Sequence, residues 1–285
     1  MKILSFGEII WDVYPDEKHI GGAPFNFAAH AKRAGASAFF MSAVGDDALG
    51  AEAFKKIALY GVHSEYVTAL EEYSTGVCRV TLDQNKIPTY TIEDVSAYDF
   101  IPLPSNLPQD FDALAFGTLA LRREHNRRII DRLLEKCDFG QVFVDLNIRS
   151  PFDYSESIRF ALEKATVVKV SDEELPCVIA RLEGTYEGIE ESVIFLKQRF
   201  QNLHTVLVTC GGNPSVLYDL RSGKSYVCEA KKTEVVSTVG AGDCYGAFFL
   251  VNYLAGEPIE ACMANAADAA AFVVAHTEAI PLTDS

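Results

Sequence analysis

The stretch VVSTVGAGDCYGAFFL at residues 235–250 combines a polar strand end, a run of small residues and the start of a buried helix. The small residues Gly240–Gly242 leave backbone N–H groups uncovered just before the apolar segment Tyr245–Leu254. An anion can bind to the amides of a helix start that carries no side chains. A carboxylate at Asp243 would repel that anion, so we expect Asp243 to hold or take a proton beside it. The alternative is that Asp243 only interacts with the helix dipole.

Outward from this stretch, short apolar runs alternate with helical patterns along most of the chain. The runs have the composition of strands that are buried on both faces. Their alternation with helices predicts an α/β fold, a mainly parallel sheet with helices on both sides. The predicted strands are Ile3–Gly7, Ala38–Val44, Ala113–Gly117, Val142–Asp145, Val167–Val170 and Val206–Thr209. The predicted helices are Asn26–Ala34, Ala51–Tyr60, His125–Lys136, Ser155–Glu163 and Ile189–Phe200, followed by a nearly all-helical segment from Asp243 to His276.

Residues 75–94, TGVCRVTLDQNKIPTYTIED, break this alternation. Two alternating segments around Gln84–Lys86 predict an antiparallel hairpin with one polar face, outside the main sheet. A small sheet of this kind suits the cover of a cleft, and the polar stretch Trp11–Gly22 would supply its partner strands. Because no linker, repeat or low-complexity segment is present, we predict a single domain over residues 1–285, with lid segments at about 11–22 and 75–94.

The composition limits the classes of partner. The 285 residues carry a formal net charge of −15, which argues against nucleic acid and anionic membranes as partners. A polyanionic substrate would then need local help from a metal or a dipole. The seven cysteines form no C-x-x-C pair and are odd in number, which is typical of a reducing compartment. The N-terminus has no signal-peptide pattern and the apolar runs are too short to cross a bilayer, so we expect a cytoplasmic protein.

Polar residues that follow the predicted strands are candidates for a binding site, because ligands bind at the carboxyl ends of strands in open α/β sheets. Ser171 and Glu174 also match a capping box, Asp145 could instead orient a loop, and Gly211–Gly212 could form a simple turn. The candidates are Asp145, Asn147 and Arg149 after one strand, Ser171, Asp172, Glu173 and Glu174 after the next, and Thr209, Gly211 and Gly212 after a third.

Adjacent glycines at Gly21–Gly22 precede Asn26 and an alanine-rich helix, so a polar ligand could approach the backbone closely there. Two common nucleotide motifs are absent from the sequence: G-x-x-x-x-G-K-[ST] and a strand-linked G-x-G-x-x-G. The six histidines are scattered singly, without the spacing of a zinc site.

The sequence resembles the PfkB, or ribokinase-like, family of carbohydrate kinases along almost its whole length. The segment GGAPFNFAAHAKRAGASAFFMSAVGDDALG is similar to the first family signature, and VVSTVGAGDCYGAFF to the second, D-T-x-G-A-G-D. The segments VDLNIR and TLALRRE are most similar to the fructokinase branch. The resemblance implies a ribokinase-like α/β/α fold with a small antiparallel β lid, and transfer of the γ-phosphoryl group of ATP to a sugar hydroxyl.

The resemblance also implies roles for individual residues. Asp243 would be the base, and Gly240, Ala241 and Gly242 the anion hole that meets charge developing on the moving phosphoryl group. Glu174 would act on Mg²⁺ through water. The residues implied to bind the sugar are Asp12, Gly21, Gly22, Asn26 and Tyr90. The residues implied to bind ATP are Arg149, Ser171, Thr209, Gly211, Gly212 and Asn265.

Two positions depart from the family pattern. Ser171 replaces the asparagine of the N-x-x-E motif, and Ser237 replaces the first aspartate of the second signature. In relatives that aspartate region helps to bind a monovalent cation, so the loss of charge argues against activation by potassium.

The substrate implied by the resemblance is D-fructose, with fructose 6-phosphate as the product. The alternatives are 2-keto-3-deoxygluconate, ribose or a nucleoside, or a catalytically weak sugar-sensing protein on the same scaffold. The small number of arginines near the sugar-side segments mildly favours a neutral sugar. Relatives often dimerise through their lids, and the apolar face of the 75–94 hairpin is compatible with a homodimer.

Overall fold

The computed structural model describes residues 1–14, 16–82, 88–148 and 154–282, and the side chains at 80–82 and 88–90 lie outside the description. Thirteen strands and eight helices are formed by these residues. No helix among them is long and apolar enough to span a membrane.

A nine-stranded sheet forms the centre of the molecule. Its strands are β1 (Lys2–Phe6), β4 (Ser37–Gly45), β5 (His63–Leu70), β8 (Asp110–Gly117), β9 (Asp138–Asp145), β10 (Val167–Ser171), β11 (Thr205–Cys210), β12 (Asn213–Asp219) and β13 (Lys224–Cys228). They lie in the order β13-β12-β11-β10-β9-β8-β1-β4-β5. Pairs from β11 to β5 are parallel, while β12 and β13 are antiparallel additions at one edge.

Helices cover both faces of this sheet, which confirms the predicted three layers. Buried side chains on one face form a core with α1 (Ala23–Arg33), α2 (Ala48–Leu59), α7 (Ala241–Leu254) and α8 (Ile259–Val274). Those on the other face form a second core with α3 (Glu124–Lys136), α4 (Ser155–Lys164), α5 (Leu175–Arg181) and α6 (Ile189–Arg199). The three-layer α/β/α architecture is thus the observed one.

A second sheet of four strands lies apart from the large one, as the hairpin pattern predicted. It contains β2 (Ile10–Val13), β3 (Lys18–Gly21), β6 (Gly76–Leu82) and β7 (Pro88–Ile92), in the order β3-β2-β6-β7. The outer pairs are antiparallel, but the central pair β2–β6 is parallel. This pairing follows from the route of the chain, because β2 follows β1 and β6 follows β5, and those two strands run in the same direction.

Glycines allow the backbone to pass closely where the two sheets meet. Gly22 has φ +106, and a Cβ there would lie 2.5 Å from the carbonyl oxygen of Glu8. A Cβ at Gly76 would lie 2.7 Å from the ring of Tyr98. The first approach brings the start of α1 against the chain that leads into β2, and the second brings the start of β6 against Tyr98.

The predicted strand end at residues 235–239 is wrong, because this segment has no regular structure. Val235, Val236 and Val239 are exposed, at 67%, 52% and 50% of their accessible surface. The backbone amides of Val236 and Ser237 both donate to the carbonyl oxygen of Val274, so the segment is bonded to the end of α8 instead of to a sheet.

Candidate functional site

The start of α7 lies at the sheet edge where the parallel strands end. Gly240 is the residue before the helix and has φ +79, in the left-handed region that favours glycine. A Cβ there would lie 2.6 Å from the carbonyl oxygen of Ala279. The amide of Ala241 donates to Thr238 O over 3.3 Å. The first amides of a helix have no acceptor within it, so apart from the bonded amide of Ala241 this turn can offer the N–H of Gly242 to an anion.

Asp243 is buried in the first turn of α7, with only 7% of its surface exposed. Asn26 of α1 donates from Nδ2 to Asp243 Oδ2 over 2.8 Å. Asn147, which follows β9, donates from Nδ2 to Asp243 Oδ1 over 3.5 Å. Two amide side chains from different elements thus fix the direction in which the carboxylate points.

Asn147 has a strained backbone, with φ +40. Asparagine tolerates the left-handed region better than most residues, but such strain persists only where the surroundings enforce it. The strained turn brings the Asn147 side chain to Asp243. The sequence pattern placed Asn147 among the polar strand ends but did not assign it to the carboxylate.

Glu174 joins the ends of two strands. Its Oε1 accepts from the amide of Ile148 over 2.6 Å, and its Oε2 accepts from the amide and hydroxyl of Ser171 over 2.8 and 2.9 Å. The amide of Glu174 donates to Ser171 Oγ over 3.2 Å. The reciprocal bonds of the predicted capping box are therefore formed, although α5 itself begins only at Leu175.

The described residues contain no group of three or more His, Cys, Asp or Glu side chains that could hold a metal ion. Mg²⁺ is usually bound by one or two carboxylates together with water and substrate phosphates, so a single carboxylate such as Glu174 has the chemistry of a candidate ligand. Glu174 is partly exposed and retains the capacity to accept from water.

Lys169 was missed in the interpretation of the sequence. It lies in the middle of β10, opposite Asp145 of β9, and its Nζ donates to Asp145 Oδ2 over 2.7 Å. Burial lowers the pKa of Lys169, but the carboxylates of Asp145, Glu174 and Asp243 outweigh it and raise the pKa above its ordinary value. The signal in the sequence was a single lysine inside the apolar run VVKV.

On the side of the small sheet, Asp12 of β2 lies opposite His19 of β3, and its carboxylate reaches toward Gly21 of the same strand. A Cβ at Gly21 would lie 3.0 Å from Asp12 Oδ2, so the glycine leaves room for this carboxylate. Gly22 is the residue before α1, and its carbonyl oxygen accepts from the amide of Asn26. Gly21, Gly22 and Asn26 thus lie on one short path that leads from the small sheet to Asp243.

On the other side, Gly211 and Gly212 form the two-residue turn between β11 and β12, next to Thr209. Gly211 has φ +56, and nothing lies within 4 Å of a Cβ at either glycine, so the turn borders open space. Asn265 is exposed on α8, and its Nδ2 donates to Asn252 Oδ1 over 3.0 Å. No described hydrogen bond connects Thr209, Gly211, Gly212 or Asn265 to Asp243.

Two predicted site residues cannot be compared with the structure. Arg149 lies outside the described residues. Tyr90 lies in β7, opposite Val80, but its side chain is outside the description.

Comparison with known proteins identifies the family of the chain. Residues 2–285 match the pfkB family of carbohydrate kinases. The chain is 26% identical over 269 residues to the fructokinase of Salmonella typhimurium, covering 89% of this chain and 85% of the relative. It is 25% identical over 294 residues to the 5-dehydro-2-deoxygluconokinase of Bacillus subtilis (strain 168), covering 94% and 85%.

The fold is similar to that of a solved fructokinase. The crystal structure of fructokinase with bound ATP from Xylella fastidiosa superposes with a TM-score of 0.85 at 20% identity, covering 98% of this chain and 94% of the other. The family match covers residues 2–285. Within it, α7 is preceded by a glycine and carries a buried aspartate in its first turn. The chain therefore belongs to the PfkB family of carbohydrate kinases.

Proposed function

We propose that this sugar kinase phosphorylates a neutral sugar, with D-fructose as the substrate and fructose 6-phosphate as the product. The observation that carries the proposal is Asp243, held by Asn26 and Asn147 at the start of α7, beside backbone amides able to meet a phosphoryl group. A proton acceptor and an anion site then lie within one helical turn.

In the proposed reaction Asp243 accepts the proton of the sugar hydroxyl. An ordinary aspartate pKa of about 4 is far below that of an alcohol, so the proton moves late, as the oxygen–phosphorus bond forms. Before that step, Asp243 orients the hydroxyl toward the phosphoryl group. General-base help of this kind is worth roughly 10²–10⁴ in rate.

The amides of Gly240, Ala241 and Gly242 stabilise the charge that develops on the phosphoryl group, assisted by the helix dipole. Glu174 would hold Mg²⁺ through a water molecule, and the ion, when bound, would neutralise charge on the ATP phosphates. Arg149, Ser171, Thr209, Gly211, Gly212 and Asn265 contact the nucleotide in this proposal.

Asp12, Gly21, Gly22 and Asn26 hold the sugar hydroxyls, and Tyr90 contributes an aromatic side chain from the small sheet. This sheet acts as a lid over the sugar and excludes water, which would otherwise hydrolyse ATP. A homodimer through the lid stays a prediction for sedimentation experiments.

The charges around the small sheet support a neutral substrate. A sugar acid or sugar phosphate would need a cation to receive its charge. The described cations near the small sheet are instead paired with carboxylates of the protein. The pairs are Arg122–Asp99 at 2.7 Å, Arg123–Asp94 at 2.9 Å, Arg79–Glu93 at 3.2 Å and Lys18–Glu52.

The test is ADP release from Mg·ATP with a panel of fructose, ribose, 2-keto-3-deoxygluconate, fructose 6-phosphate and adenosine. Wild type is compared with Asp243→Asn, and Asp131→Asn on α3 serves as the control for loss of one carboxylate. We expect turnover on fructose that falls by at least about 10²-fold in Asp243→Asn and is unchanged in Asp131→Asn.

Turnover on another panel member would keep the chemistry and replace the substrate. Turnover on 2-keto-3-deoxygluconate would favour a deoxygluconate substrate, the kind of sugar acid in the name of the Bacillus subtilis relative. Arg149 would then be the next residue to substitute. Sugar-dependent thermal stabilisation without turnover on any compound would favour a sugar sensor.

The monovalent-cation dependence is a separate prediction. Ser237 accepts from the amide of Val239 over 3.3 Å and carries no charge to attract a cation. We expect the rate to be the same in potassium and sodium chloride. A several-fold higher rate in potassium would contradict this expectation. The variant Ser237→Asp tests whether a carboxylate at this position is sufficient for activation by potassium.

A further inference from the structure

Lys169 interrupts a strand that is otherwise apolar. Val167, Val168 and Val170 are fully buried, and Lys169 itself is only 5% exposed. Removing an ammonium group from water costs several kcal/mol, and a charge pair in the interior often contributes less than well-packed apolar residues. The packing of β10 does not require a lysine, so the presence of Lys169 in this strand needs another explanation.

The lysine lies directly beneath the start of α7. A Cβ at Gly242 would lie 3.3 Å from Lys169 Nζ, and one at Gly246 would lie 3.5 Å from its Cδ. The glycines of α7 therefore pack against the lysine along its length. Its ammonium group lies under the same helical turn whose amides are available to an anion.

The charges around this ammonium are otherwise negative. Asp145 bonds to it directly, and the carboxylates of Glu174 and Asp243 lie close enough to stabilise its charged form. Without Lys169, an incoming polyphosphate would meet this group of carboxylates uncompensated. Interactions between charges are much stronger in such a shielded site than in water.

We propose that Lys169 is a positioning residue of the phosphoryl-transfer site, which orients Asp145 and the first turn of α7 and places a permanent positive charge beneath the γ-phosphoryl group. The inference rests on the proposed function only in that ATP is the phosphoryl donor. Its effect is therefore largest for a nucleotide that carries the third phosphate.

The test compares the binding of AMP-PNP, a non-hydrolysable ATP analogue, with that of ADP. Calorimetry with Mg²⁺ and without sugar is carried out on wild type, Lys169→Met and Lys197→Met, the last being an exposed lysine of α6. In Lys169→Met we expect the Kd of AMP-PNP to rise about tenfold and that of ADP by less than about threefold. With sugar present, kcat falls by about 10²-fold while the sugar KM changes by less than about threefold.

A double variant, Lys169→Met with Asp145→Asn, guards against misfolding, because it removes both charges of the hydrogen-bonded Lys169–Asp145 pair and leaves neither partner charged without the other. We expect it to unfold near the wild-type temperature and to retain the selective loss of AMP-PNP binding. Equal weakening of both nucleotides, no weakening of either, or a wild-type kcat in the double variant would overturn the proposal. The nucleotide measurements are made without sugar, so they do not depend on which sugar is the substrate. The proposal for Lys169 and the proposal of fructose as the substrate can therefore be refuted independently.

Discussion

Gly240 is a position where both the backbone and the packing require glycine. An alanine there would adopt φ +79 and place its Cβ 2.6 Å from Ala279 O. We expect Gly240→Ala to lower the free energy of unfolding by about 1–2 kcal/mol for the left-handed conformation and by about 1–3 kcal/mol for the overlap. Displaced amides should also slow catalysis by about 10²-fold. Urea unfolding and steady-state kinetics measure both effects.

Gly256, which follows α7, is the matched control. It also has φ +79, but nothing lies within 4 Å of a Cβ at this position. Gly256→Ala should therefore show only the conformational part of the destabilisation, with unchanged kcat. Equal losses of stability in the two variants would contradict the role assigned to the contact with Ala279.

His30 makes the stability of the protein depend on pH. It is buried in α1, and its Nε2–H donates to Ala279 O over 2.9 Å. Burial lowers the pKa of His30 from 6.5 to about 4, with a further contribution from Arg33. The unfolded chain takes up a proton near the ordinary pKa, whereas the folded protein does so only near pH 4. Stability from the neutral imidazole is therefore complete above about pH 6.5 and is lost as the pH falls toward 4.

We expect His30 alone to reduce the free energy of unfolding by roughly 2 kcal/mol between pH 7 and pH 5. Urea unfolding of wild type and His30→Gln at the two pH values isolates this contribution from that of the other titrating groups. The same pH dependence in both proteins would refute it.

A group of hydrogen bonds holds the entry to β6. Asp47 precedes α2, and its carboxylate accepts from the amide and hydroxyl of Thr75 over 2.9 and 2.8 Å and from the amide of Gly50 over 2.8 Å. The Thr75 hydroxyl in turn accepts from the amide of Gly45 over 2.9 Å. The end of β4, the start of α2 and the first residue before the small sheet are thus joined at one carboxylate.

We expect Thr75→Val, which keeps the shape of the side chain, to destabilise the protein by about 1–3 kcal/mol because it leaves the buried amide of Gly45 without its acceptor. The position of the small sheet should also be less tightly fixed, so we expect the KM for the sugar to rise by a larger factor than kcat falls. Thr68→Val on β5 is the control. A change in kcat with an unaltered KM would argue against the link between this group and the sugar.

The parallel strands and most helices were predictable because apolar runs buried on both faces leave a strong pattern. Strands β5, β12 and β13 were not predicted, since they lie toward the edges of the sheet and contain few buried residues. Helix α5 is short and follows the turn that the capping box forms, so its pattern is weak. The valines at 235–239 suggested a strand, but valine is compatible with an exposed segment when no neighbouring strand is available.

Asp243 and Asn26 were both candidates from the sequence, and the structure joins them by a hydrogen bond, while their roles stay predictions. Lys169 was not a candidate, because a lysine in a strand says nothing about its partner until the register places it opposite Asp145. Asn147 was a candidate only as a polar strand end, since its contact with Asp243 depends on a positive φ that the sequence does not encode by itself.

The whole molecule carries an excess of negative charge, with 40 Asp and Glu against 25 Lys and Arg. Repulsion among these charges opposes the compact state at pH 7, and salt screens it. We expect an increase from low to moderate sodium chloride to raise the melting temperature by about 2–4 °C for each kcal/mol relieved. At pH 5, close to the pI of about 4.8, the effect should nearly disappear. An equal salt effect at both pH values would point to ion binding instead of screening.

The small sheet is built from two separate parts of the chain, because Ile10 of β2 pairs with Gly76 of β6. Two segments so far apart in sequence meet only after a long loop has closed, which is slow and entropically costly for an unfolded chain. Alignment of β1, β4 and β5 in the large sheet closes that loop in advance. We therefore expect assembly to run from the large sheet to the small one, and a chain that is still being synthesised cannot pair β2 with β6 until residue 76 and its successors have emerged.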